Sequence, residues 1–252
     1  MQFAVLGSGS RGNAMLVESN ETCVMVDCGF SVKETEKRLA KLQRDPAQLT
    51  AILVTHEHSD HIKGVGAFAR RYKTPVFSTR GTGGSRLLGE LPDWQRIIPE
   101  QDIALNDLHV LSYPVPHDAR EPCQFVFSDG DRRFGLLTDA GSSTSHIEQL
   151  LSGCHAMMLE CNHDADMLSE SSYPQSLKQR ISGNFGHLSN AQATDFLQSI
   201  DTEQLQQLVV AHISEQNNTP ALARQSVCDA LGCEPAWVEL ASQDETLDWR
   251  TV

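Results

Sequence analysis

The fold class this sequence predicts is α/β, with two mixed β-sheets and helices packed outside them. Three observations point there. Short β-rich runs alternate with helical patterns along the chain, beginning with Phe3–Leu6, Ala14–Val17 and Thr22–Val26 and then a helical stretch from Ser31 to Arg44. The run Ala51-Ile52-Leu53-Val54 is apolar without alternation, as in a strand buried on both faces. No linker, low-complexity stretch or fixed-period repeat interrupts the pattern, so residues 1–252 read as a single domain. The same order also admits a doubly wound sheet, and propensity does not choose between the two.

The elements follow in order. Met1–Leu6 is briefly apolar and breaks at Gly7-Ser8-Gly9; without a basic n-region or a full apolar h-region it reads as a first strand, not a secretory signal. The glycine-rich turn Gly7–Asn13 either closes a tight hairpin or aims backbone N–H groups at a phosphate. Ser31 caps the first helix, with Glu34 three residues on, and Pro46 ends it. After the buried run come a helix over Gly64–Tyr72 and a strand at Val76–Ser78. Further strands are expected at Leu108–Val115, Gln124–Phe127, Phe134–Leu137, Ala156–Leu159, Leu208–Val210 and Trp237–Leu240. Further helices are expected at Ser145–Leu151, Gln175–Ile181, Asn190–Ile200 and Pro220–Leu231.

Composition excludes some classes. No stretch approaches the ~18 apolar residues of a transmembrane helix. Seven cysteines, an odd number with no C-x-x-C pair, read as reduced thiols of a cytoplasmic protein, not as a disulfide framework or a zinc-thiolate site. A net charge of −13 argues against bulk attraction to nucleic acid. The charge is uneven, however. Lys63, Arg70, Arg71, Lys73, Arg80 and Arg86 fall between His61 and Gly89 with no acid among them. That run is either a solvated helix face or a local patch for a phosphate backbone.

The chemistry concentrates at Thr55-His56-Glu57-His58-Ser59-Asp60-His61. In extended chain, His56 and His58 point to one side and can face one metal. Asp60 and His61 come a turn later and can serve a second. Four ligand-type residues within six positions rarely arise for packing reasons, but one cluster cannot close two coordination spheres. His117, Asp139 and His212 each follow an apolar run, where strand ends converge at one sheet edge. Imidazole and carboxylate ligands suit zinc or manganese, with iron also accommodated.

The segment Thr55–His61 resembles the T-H-x-H-x-D-H signature of the metallo-β-lactamase superfamily, and His117, Asp139 and His212 match that family's remaining ligand motifs in order. The resemblance covers nearly the whole chain. It implies an αββα sandwich with two divalent metal ions at one edge. His56, His58 and His117 would hold one ion, Asp60, His61 and His212 the other, and Asp139 would bridge them. Four further segments, Gly7–Asn13, Glu160–Asp164, Gly186–Asn190 and Ala211–Asn218, are similar to the YycJ/WalJ type, bacterial proteins associated with exonuclease activity on DNA. The pairing of Glu160 with a later Gly-His-x-Ser loop also resembles ribonuclease Z. No large cap insertion of the β-CASP kind and no glyoxalase II-like C-terminal helical domain is evident.

The resemblance therefore implies an enzyme: a metal-dependent phosphodiesterase acting on nucleic acid, DNA before RNA, in particular a DNA exonuclease that uses a hydroxide shared by the two metals. Asp60 is the candidate general base. His187 is the candidate acid for the leaving oxygen, with Glu160 as the partner that orients it. The same metals could instead hydrolyse a small ester, lactone, thioester or cyclic phosphate, and a metal-binding protein without catalysis is the third reading. His163 is either a substrate contact or a loop residue; His109, His146 and His155 are structural.

Overall fold

The computed structural model describes all residues, 1–252. The first half runs β1 (Gln2–Gly7), β2 (Ala14–Ser19), β3 (Thr22–Val26), α1 (Val32–Lys41), β4 (Ala51–Leu53), α2 (Ser59–Ile62), α3 (Val65–Tyr72), β5 (Val76–Ser78), α4 (Arg80–Gly83) and β6 (Trp94–Arg96). The second half runs β7 (Asp102–Leu105), β8 (Leu108–Pro114), β9 (Cys123–Ser128), β10 (Arg133–Leu137), α5 (Ser145–Leu151), β11 (Ala156–Glu160), α6 (Ala165–Glu170), α7 (Gln175–Ser182), α8 (Asn190–Ser199), β12 (Gln207–Ala211), α9 (Pro220–Leu231), β13 (Val238–Leu240) and β14 (Leu247–Thr251). One sheet has the order β14-β1-β2-β3-β4-β5-β6, the other β13-β12-β11-β10-β9-β8-β7. Both are mixed: antiparallel pairs lead into parallel pairs at β3–β4 and at β10–β11. Two sheets, not one doubly wound sheet, is thus the architecture.

Strand alternation builds three layers of core. Phe3, Val5, Met15, Val17, Val24 and Val26 face inward and meet Phe125, Phe127, Phe134 and Met158 of the second sheet in a single buried cluster. The rings of Phe3 and Phe134 stack across the interface at 4.5 Å. The alternate residues Ala4, Leu6, Leu16 and Met25 pack outward with Leu39 of α1 and Phe68 of α3. Leu137, Leu159, Leu208 and Val210 pack outward with Phe196 of α8 and Val227 of α9. Helices therefore cover both outer faces.

Three strands escaped the sequence reading, and all are edge or near-edge strands. Trp94–Arg96 is exposed at every residue, Asp102–Leu105 alternates exposed with half-buried, and Leu247–Thr251 carries three charged or polar side chains. None presents an apolar run, so only the neighbouring strand reveals them. The short helices α2, α4 and α6 span 4 to 6 residues, too few to show a 3.6-residue period. The strand expected from Trp237 begins at Val238, after a 3₁₀ turn at Pro235–Trp237.

Candidate metal centre

Six strand ends open on one edge of the sandwich. Asp27 follows β3, His56 follows β4, His117 follows β8, Asp139 follows β10, Glu160 closes β11 and His212 follows β12. β8 and β10 both run antiparallel to β9, so their carboxyl ends share that edge. Asp27, Asp139 and His212 all have left-handed backbones, with φ of 58°, 53° and 53°. Such conformations cost non-glycine residues about 1–3 kcal/mol and persist only where the surroundings over-determine them. Here they turn Asp139 and His212 into the cleft and set Asp27 behind His61 and Thr55. The turn after β1 closes against the histidine loop: Asn13 N donates to Asp60 O at 2.8 Å and Gly29 N to Asn13 O at 2.9 Å. A Cβ on Gly29 would fall 1.7 Å from Asp60 O, so no side chain fits there.

The structure brings together all seven residues that the sequence singled out as ligands. Ligand atoms of His56, His58 and His117 lie within 4.8 Å of one another, as do those of Asp60, His61 and His212, and those of His56, His61 and Asp139. The ring nitrogens that face outward from the cluster are engaged, and this fixes the tautomers. Thr55 Oγ1 donates to Asp27 Oδ2 at 2.8 Å and so accepts from His56 Nδ1 at 2.9 Å. His61 Nδ1 donates to Asp27 Oδ2 at 2.7 Å, His117 Nδ1 to Gly186 O at 3.0 Å, and His212 Nδ1 to Glu160 Oε1 at 2.9 Å. Each of these four rings therefore turns Nε2 inward. His212 Nε2 and Asp139 Oδ2 are buried with no hydrogen-bond partner. Orphaned buried groups of this kind cost about 1–3 kcal/mol each unless a cation satisfies them. The donor set of imidazoles and carboxylates fits a pair of divalent ions.

Electrostatics reinforce that fit. Burial opposes its charge, yet His212 and His61 hold the Asp139 carboxyl well below the usual carboxylate range. Burial likewise pulls His61 and His212 down, but the Asp139 carboxylate, foremost among the acids, lifts both well above the ordinary imidazole value. His56 goes the other way, driven well down by burial and then by the charge of His61. The centre thus draws positive charge toward Asp139, and a divalent cation provides it while displacing protons.

Glu160 is fully buried and holds two imidazoles at once. Its Oε1 accepts from His187 Nδ1 at 2.7 Å and from His212 Nδ1 at 2.9 Å, while Oε2 accepts from the Ala140 and Leu188 amides. Burial raises this carboxyl, but His187 and then His212 bring it down to about 2. His187 sits at the rim of a cavity of about 440 Å³ that also takes in His58, Asp60, Asp139 and His212.

Some sequence expectations look different in place. In the Gly7–Asn13 turn the amides of Ser8, Gly9, Arg11, Gly12 and Asn13 all donate within the protein, and Arg11 is paired with Glu215 and Asp244. The turn buttresses Asp60 and offers no anion nest. The basic run does not reach the cavity: Arg70 donates to the carbonyls of Leu88 and Glu90, Arg71 pairs with Glu36, and none of the six lines the cleft. His163 is buried and faces a separate cavity of about 230 Å³. Two residues were missed. Asp27, which holds His61 and Thr55, carried the same signal as Asp139, an acid just past an apolar run. Arg180, the one Lys or Arg lining the cavity, carried none.

Fold and donor set together define a metallo-β-lactamase-type metal centre, and the comparisons agree. The family model for the metallo-beta-lactamase superfamily matches residues 7–157. The chain belongs to this superfamily and, within it, to the YycJ/WalJ type. It is 37% identical over 235 residues to the exodeoxyribonuclease YycJ of Bacillus anthracis, covering 92% of this chain and 89% of that protein. It is 34% identical to the exodeoxyribonuclease WalJ of Streptococcus pneumoniae, covering 91% and 88%. The solved structure of YhfI from Bacillus subtilis shares the fold, with a TM-score of 0.75 at 15% identity over 97% of this chain and 98% of that one.

Proposed function

We propose that this protein is a two-metal exonuclease that hydrolyses phosphodiester bonds of nucleic acid, DNA in preference to RNA, with residues 1–252 acting as one catalytic unit. The observation that carries the reading is the convergence of seven ligand side chains around the orphaned Asp139 Oδ2 and His212 Nε2, in a chain whose relatives along nearly its full length are exodeoxyribonucleases. His56, His58 and His117 would hold one ion and Asp60, His61 and His212 the other, with Asp139 within reach of both ligand sets. Zinc or manganese suits this set, and iron is also accommodated. When bound, the ions lower the pKa of the attacking water and neutralise charge on the phosphoryl oxygens. Asp60, mostly buried but lining the cavity, accepts the proton of the attacking water. His187 donates a proton to the leaving sugar oxygen, and Glu160 holds its ring in place through Nδ1. Free thiols, six of the seven buried, suit a reducing cytoplasm.

The test is degradation of single- and double-stranded DNA and RNA with Zn²⁺ or Mn²⁺, before and after chelation. His187→Ala should lose turnover by about 10²–10⁴-fold while keeping its metal. Hydrolysis of small esters with no action on any nucleic acid would overturn the reading.

A further inference from the structure

The cavity has two unlike walls. One carries His58, Asp60, Asp139, His187 and His212; the other, from α7 and the segment just ahead of it, carries Tyr173, Leu177 and Ile181. Leu177, Arg180 and Ile181 are spaced i, i+3, i+4, so one stripe of α7 faces the cleft. Tyr173 lies just ahead of α7, half-buried, and its hydroxyl has no hydrogen-bond partner in the protein. Arg180 is tethered through Nε alone, to Asp118 Oδ2; neither terminal nitrogen makes a hydrogen bond. Asp118 in turn lies 3.7 Å from His58 Nε2 and 3.6 Å from His117 Nε2, so the tether fixes the guanidinium beside the proposed ions. In a chain of net charge −13, this is the only Lys or Arg lining the cleft.

Resting on the nuclease reading, we infer that this wall is a one-nucleotide subsite: the face of Tyr173, floored by Leu177 and Ile181, stacks the base of the terminal nucleotide, and the free fork of Arg180 grips a phosphate oxygen. The chemistry fits an amphiphilic unit with a flat apolar end and an anionic end. A cavity of about 440 Å³ holds one nucleotide, not a folded duplex segment. Stacking uses the face that every base has, so Tyr173 itself imposes no base preference.

The experiment is steady-state degradation of an oligodeoxynucleotide by the metal-loaded, full-length protein across a salt series. Arg180→Ala should raise KM about 10-fold and flatten the salt slope by about 0.7–1, the loss of one phosphate contact. Arg180→Lys should restore the slope but only part of the affinity, since an ammonium lacks the fork. Tyr173→Ala should raise KM about 5–100-fold, and Tyr173→Phe should rescue it, because stacking uses the ring. An oligonucleotide ending in an abasic residue should raise KM for the wild type but add nothing in Tyr173→Ala. Arg86→Ala, on the basic run away from the cleft, is the control expected to match wild type. Both target side chains are partly exposed, and unchanged melting temperatures exclude misfolding. A wild type that degrades no nucleic acid removes the underlying reading and this inference with it. A wild type that degrades DNA, beside variants that keep its KM and salt slope, overturns the inference alone.

Discussion

Two buried carboxylates, one in each sheet, do related work with opposite electrostatics. Asp27, at the end of β3, holds His61 and, through Thr55, His56. Glu160, at the end of β11, holds His212 and also His187. Burial pushes the Asp27 carboxyl up, and the pull of His61 does not reverse it. Burial also pushes Glu160 up, but two imidazoles and two backbone amides bring it down to about 2. The difference teaches that the number of imidazoles facing the carboxylate, two for Glu160 and one for Asp27, and not depth of burial, decides which acid carries its charge easily. It also separates their roles. Asp27 touches one proposed ligand, His61, and Thr55, which positions another, whereas Glu160 joins a proposed ligand to the proposed acid.

The largest expected effect would erase the comparison. Asp139→Ala removes the side chain shared by both ligand sets, so turnover should fall by more than about 10⁴-fold, with loss of bound metal. Activity and bound metal, measured together, check this. Next, Glu160→Gln should lower kcat by about 10²–10⁴-fold through His187 and weaken metal affinity about 10–100-fold through His212. Saturating metal should rescue only the second loss. Asp27→Asn should cost about 10–100-fold in metal affinity, and saturating metal should restore kcat. If Asp27→Asn instead lost kcat at full metal occupancy, the division between the two carboxylates would be wrong.

The smallest effect is on the stability of metal-free protein. The folded Glu160 carboxyl lies at about 2, below its ordinary 4.5. Its stabilisation is therefore present above pH 4.5 and is lost as pH falls toward 2. The melting advantage of wild type over Glu160→Gln should shrink across that window. Asp27 is raised above its ordinary 3.8, so its contribution is present below 3.8 and is lost as pH rises. Asp27→Asn should consequently lose less stability at neutral pH than Glu160→Gln. Differential melting curves at stepped pH read both, at about 2–4 °C per kcal/mol for a protein of this size.

Much of the centre was legible in the chain. Thr55–His61 is local, and its spacing alone places four ligand-type residues around one turn. His117, Asp139, Glu160 and His212 announce themselves by following apolar runs, because a strand end is where a buried backbone returns to the edge of a sheet. His187 was legible through its loop. The charges were less legible. The run from Lys63 to Arg86 read either as a solvated face or as a phosphate patch, because sequence density does not say which way side chains turn; none of the six lines the cleft, in keeping with the solvated face.

By itself, the sequence determined the α/β class, the places of most strands, and the identity of the residues able to bind metal, since these depend on local periodicity and side-chain chemistry. Only the tertiary structure decided that Asp27 holds His61, that Glu160 holds His212 as well as His187, that the glycine-rich turn is a buttress, and that Arg180 and Tyr173 face the cleft. Those facts arise between residues tens of positions apart, brought together by two sheets packing face to face. Hydrogen-bond direction and solvent exposure are properties of that assembly and have no local signature in the chain.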